Sequence, residues 1–160
     1  MARHVGGLSV VLALSIGVSW PLSAQTPQTQ LWDAAMVGDT VRLGTALRDG
    51  ARLDSLDTRQ SENGRYALNW AALNNRVDAL RFLLARGAAL EARNFTGFTA
   101  LHHAAEMGSL DAAKVLLEAG ADPTHRNDAG LKPADTARER GHIQVVALLD
   151  AAEKEKGRRP

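Results

Sequence analysis

A chain of 160 residues that is 45% hydrophobic and 23% charged has the length and composition of one soluble globular domain. Its 19 basic and 18 acidic residues leave a net charge of +1, which argues against generic affinity for nucleic acid or an anionic membrane. Cysteine is absent, which excludes disulfides, thiolate catalysis, sulfur-ligated zinc and a lipidated N-terminal cysteine, while aromatics at 4% favour a core of alanine and leucine.

Residues 1–24 have the layout of an export signal. Arg3 and His4 precede a mainly apolar run from Val5 to Trp20, and Leu22-Ser23-Ala24 forms a cleavage pattern before Gln25. The run contains Gly6, Gly7, Gly17 and three serines, and it falls short of the roughly 20 apolar residues that span a bilayer. A cleaved signal is therefore expected rather than a retained anchor, with no stable membrane insertion after cleavage. Cleavage removes Arg3 and leaves 18 basic against 18 acidic residues. The Ala-rich, Arg-over-Lys composition points to a Gram-negative bacterium, so the expected location is the periplasm, with release beyond the cell as the alternative. Gln25 to Gln30 reads as a polar linker with no means of packing.

From Leu31 onward the chain repeats itself. In the first unit, Leu31 to about Gln60, Ala34-Ala35, Gly38, Leu43, Leu47 and Gly50 stand 70 residues before Ala104-Ala105, Gly108, Ala113, Leu117 and Gly120. The second unit, Asn63 to Thr96, keeps Ala71-Ala72, Leu80, Leu83 and Leu84. It carries Asn75 where a glycine is expected, asparagine being the next residue to tolerate a left-handed backbone. In the third, Gly97 to Ala129, Thr99 is placed to cap a helix whose Leu101, Ala104 and Ala105 share one face. Gly108 ends that helix, and Leu110 to Leu117 supply a second one closed by Gly120. The fourth, from Gly130 to about Ala152, places Pro133 in a first helical turn and divides its helices at Gly141; residues 153–160 form a charged, fraying tail.

Gly64, Gly97 and Gly130 are 33 residues apart, as are Gly87 and Gly120. The link from Gly50 to Gly64 is four residues longer than its later counterparts, so the polar stretch Leu56 to Asn63 should form an extended loop. Such an insertion is either tolerated on the surface or touches a partner.

The 33-residue period, together with Thr99-Ala100-Leu101-His102 and Ala104, resembles the ankyrin-repeat family and its T-P-L-H-x-A signature, with alanine in place of proline. The resemblance implies an all-α ankyrin-repeat solenoid of about four helix-turn-helix repeats with short β-hairpin-like fingers, the terminal two acting as caps.

No catalytic constellation emerges. His102, His103 and Glu106 form a tempting group, but the histidine of the signature is structural, and the equivalent positions are Trp32, Asn69 and Asp135. No serine lies in a nucleophile elbow, no phosphate loop is present, and no metal-ligand spacing involves His125 or His142. No metal and no cofactor are expected.

Members of the family recognise other proteins through finger tips and a concave inner-helix face. By position in the repeat, the resemblance assigns that role here to Arg65, Asn74, Arg93, Phe95, Phe98, Glu106, Met107, Arg126, Asp128 and Arg140. Arg93 and Arg126 align on successive fingers, either to grip carboxylates bidentately or as solvated side chains. Phe95 and Phe98 flank one finger glycine and favour an interface, with packing as the alternative for Phe98. Trp70 is expected to pack between inner helices. The expectation is a monomeric, non-catalytic module for an unidentified protein partner, with no nucleic acid. An inhibitor or immunity protein of an exported enzyme, or a host-directed effector, are the alternatives.

Overall fold

Alanine pairs decide how closely the helices approach. In the computed structural model, which describes residues 25–158, Ala34-Ala35, Ala71-Ala72 and Ala104-Ala105 are all fully buried. Each pair lies on an inner helix: α1 (Pro27–Val37), α3 (Ala67–Leu73), α5 (Ala100–Glu106), with α7 (Pro133–Glu139) completing the row. Small side chains let these helices pack side by side, α1 on α3, α3 on α5, and α5 on α7. Each is followed by an antiparallel outer helix: α2 (Thr40–Arg48), α4 (Val77–Ala85), α6 (Leu110–Glu118) and α8 (Ile143–Arg158). Leu43, Leu80, Leu83, Leu116 and Leu149 from this outer row fill the space between the two layers. The described residues therefore form an all-helical solenoid.

The turns inside the helix pairs share one geometry, with φ of +88° at Gly38, +54° at Asn75 and +68° at Gly108. Asn75 accepts the backbone strain of this region and adds a bond that glycine lacks, because its Oδ1 takes the N–H of Ala112 in the next repeat at 2.9 Å. In repeats 2 to 4 the residue that follows the turn varies, yet it does one job. Arg76 Nε, Ser109 Oγ and His142 Nε2 reach back to the carbonyls of Met36, Leu73 and Glu106 at 3.2, 3.0 and 3.1 Å. These are carbonyls at the ends of the preceding inner helices, left without helical partners.

The fingers contain no extended strand among the described residues; a single antiparallel bridge joins Asp57 and Arg65. Their shape comes from asparagine turns. Asn94 Oδ1 accepts from the N–H groups of Thr96 and Phe98 at 3.0 and 2.8 Å, and Asn127 Oδ1 repeats this with Ala129 and Leu131 at 3.0 and 2.9 Å. Neighbouring fingers are tied through Phe95 N–H to the Asn63 carbonyl and Asp128 N–H to the Thr96 carbonyl, at 3.0 and 3.1 Å. Gly97, at φ +76°, is where two fingers press together. A Cβ there would stand 2.8 Å from the backbone nitrogen of Asp128.

Two boundaries differ from expectation. Residues 27–30, expected as linker, are the first turn of α1. Thr26 caps it by accepting the Thr29 N–H at 3.2 Å, Pro27 occupies the first turn, and Gln28 bonds both backbone groups of Arg52 at 2.7 and 3.0 Å. At the other end, residues 153–158, expected as a frayed tail, continue α8. Glu153 pairs with Lys132 at 2.9 Å, and Lys156 reaches Asp122 and Thr124. The expected export signal, residues 1–24, lies outside the described residues. No helix among the described residues is long and apolar enough to cross a membrane.

Candidate protein-binding face

The inserted loop of the first finger is organised around a buried carboxylate. Asp57 is fully buried. Its side chain accepts from Arg59 Nε and Nη2 at 2.8 and 2.9 Å, from the Arg59 backbone at 3.1 Å and from the Trp70 indole N–H at 3.1 Å. Arg59 also bonds Asp33 at 2.8 Å and lies 5.1 Å from the centre of the Trp32 ring, while the Trp32 N–H donates to the Ser55 carbonyl at 3.1 Å. The two carboxylates hold the Arg59 guanidinium firmly protonated. Trp70 is buried between inner helices, as its position in the repeat implies. None of Asp57, Arg59 and Trp32 was marked by sequence reasoning as part of a site. They sit in or against an insertion that has no copy in the other repeats to reveal a pattern.

The centre of the inner face is set by two histidines. His102 Nδ1 accepts from the Thr99 hydroxyl at 2.9 Å and the Thr99 N–H at 3.3 Å, and Nε2 lies 3.1 Å from the Leu131 carbonyl. Those partners assign the neutral tautomer with the proton on Nε2. Burial pushes its pKa down to about 4. His103 is also buried, and burial lowers its pKa too; its Nδ1 is 3.5 Å from Glu106 Oε2. Glu106 takes Arg140 at 3.2 Å on its other oxygen, and its own pKa is lowered, first by the contact with His103. Phe98 lies against both imidazoles, with ring centres 5.3 and 5.4 Å away. Since both histidines are buried, neither presents a base to solvent.

The expected surface residues separate into four behaviours. Phe95 and Met107 project, at 63% and 54% exposure. Arg93 is held by Asp128 of the next finger at 2.7 Å, Arg126 by the Gly130 carbonyl, Arg140 by Glu106, and Asn74 by the Trp70 carbonyl at 2.9 Å. Phe98 is turned inward to pack. Arg65 stands apart: its guanidinium lies 4.7 Å from the Trp70 ring centre and bonds no other side chain among the described residues. The structure pairs Glu106, at the end of α5, with Arg140, the residue that caps α7, while Arg65 stands before the start of α3 and Phe95 lies on the finger ahead of α5. Among the described residues, no three His, Asp or Glu side chains are grouped to hold a metal ion. What the face offers is a surface with projecting apolar side chains and separate pairs of opposite charge.

Compared with family models, residues 31–127 match ankyrin repeats in three copies. The helix pair of α7 and α8 continues the stack beyond the matched segment. No curated protein matches the chain.

Proposed function

The chain belongs to the ankyrin-repeat family, whose repeats generally mediate protein–protein interaction, and from that premise we propose that it is a non-catalytic binding module, exported to the periplasm, that takes a partner protein on its finger tips and inner-helix face. The observation that carries this reading is Phe95. A side chain of that size, 63% exposed, has no packing role to explain it, and it stands on a finger whose backbone is bonded to both neighbouring fingers. An aromatic held on a rigid support loses little freedom on binding and is a favoured interface anchor. Met107 adds a flexible apolar contact at the far end of α5. Export rests on the layout of residues 1–24, and the partner is accordingly an exported protein.

Capture from an exported fraction with the full chain tests the reading. Phe95→Ala is expected to weaken retention of the captured protein at least about tenfold, a loss of about 1.4 kcal/mol or more. The melting temperature should stay unchanged, because the ring contributes nothing to the core. Retention unaffected by Phe95→Ala together with Met107→Ala would remove this face as the binding surface.

A further inference from the structure

We propose that Gln25 is a modification site: once the export signal is removed after Ala24, its α-amine closes onto its own side-chain amide, and the mature chain begins with pyroglutamate. The proposal rests on the export reading above and adds what becomes of the new terminus. Two observations meet at this residue. Leu22-Ser23-Ala24 sets the expected cut directly before Gln25. The first helix starts beside the same point, because Thr26 is the N-cap of α1 and Pro27 its first residue. A cut after Ala24 therefore leaves α1 and its cap whole, with glutamine as the first residue of the mature chain.

An N-terminal glutamine holds an amine and a primary amide within reach of each other, so the step needs no second reactant. The neutral α-nitrogen attacks the side-chain carbonyl carbon, and a bond forms between the α-nitrogen and Cδ. The bond from Cδ to Nε2 breaks, and a proton from the α-nitrogen leaves with Nε2 as ammonia. Nothing is oxidised or reduced. The fold leaves Gln25 free for this closure. The hydrogen bonds of α1 begin one residue later, where the Thr26 carbonyl takes the Gln30 N–H at 3.0 Å. The neighbouring polar side chains are committed elsewhere, Thr26 to the Thr29 N–H at 3.2 Å and Gln28 to both backbone groups of Arg52. An ammonium on Gln25 would stand at the positive end of the α1 dipole, and the first turn of α1 has no acidic side chain to offset it. Cyclisation removes that terminal charge and leaves a neutral lactam ahead of the cap.

The test expresses the full precursor in a Gram-negative host and isolates the exported fraction. Intact-mass and tandem mass spectrometry then read the N-terminus, at once and after prolonged incubation at neutral pH. The expected chain starts at residue 25, is lighter by one ammonia than its sequence requires, and carries that loss on residue 25. It should be blocked to Edman degradation. Gln25→Ala, which keeps the cleavage pattern and lacks the side-chain amide, should be cut at the same bond, keep its full mass and be read freely from its first residue. A chain that starts at residue 25 and keeps its ammonia through the incubation would overturn the site while the export reading stands. So would an exported chain cut at another bond. A chain that still begins at Met1 would overturn both.

Discussion

Replacing Asp57 with alanine is expected to lower the stability of the folded chain by about 3 kcal/mol. The carboxylate is fully buried and gathers two side-chain bonds from Arg59, one from the Arg59 backbone and one from Trp70. Removing it leaves the Trp70 N–H without an acceptor inside the stack and leaves Arg59, only 31% exposed, facing Asp33 alone. The main-chain bridge between Asp57 and Arg65, at 2.8 and 3.0 Å, then has to hold the long finger without the side-chain framework. Asp57→Asn keeps the volume and an acceptor for the indole while giving up the charge, and its loss should be about half as large. Urea unfolding measures both. The expected result is a lower midpoint with an unchanged slope, since the same surface is exposed on unfolding. A change below about 0.5 kcal/mol for the alanine variant, the size of an ordinary surface substitution, would show that the finger stands without this cluster.

Acid is the second large lever. His102 is neutral in the folded chain because burial drives its pKa to about 4, against 6.5 for a free histidine. Between those values the unfolded chain binds more protons than the folded one, so stability rises with pH in that window. The His102 contribution is complete above pH 6.5 and is lost progressively as pH falls toward 4, by up to about 3 kcal/mol. Protonation of Nδ1 would also turn its acceptor toward the Thr99 N–H into a donor. His103, lowered by burial, acts in the same direction. Glu106, whose depressed carboxyl pKa works on the acid side of 4.5, adds a further loss at lower pH. His102→Asn installs the residue that repeat 2 carries at the same position, Asn69. The variant should be less stable at pH 7.5 and show a clearly shallower decline between pH 6.5 and 4. Parallel pH profiles for the two proteins would mean that His102 does not govern acid unfolding.

The scaffold was legible in the sequence because it repeats. Alanine pairs and turn glycines at a fixed period identify inner helices and their ends, and the same period singles out Asn75 as the substitute that has to adopt a positive φ. What lacks a copy was not legible. The inserted finger loop reads as a polar string, and only the fold brings Asp57 and Arg59 against Trp70 and Trp32. Gln25 to Gln30 likewise reads as unpacked, although Thr26-Pro27 is a helix-start signal in itself. On the candidate face, sequence columns show which residues share a side of the stack but not which of them are engaged. Arg93 and Arg126 align, yet each finds an acceptor one finger away or within its own turn. Phe95 and Phe98 sit on one finger, and the turn at Gly97 sends the second inward onto the histidines while the first remains outside. Arg65 is distinguished by lying over the Trp70 ring, a property of the assembled stack.

Recognition through the fingers and inner helices implies that amides there exchange more slowly once a partner is bound. Hydrogen–deuterium exchange of the full chain, with and without its captured partner, tests this most directly. Slower exchange is expected for the finger amides around Phe95 and for the end of α5 at Met107, with α4 and α6 unchanged on their outer faces. Protection confined to α4 and α6, with the fingers exchanging as in the free chain, would contradict it.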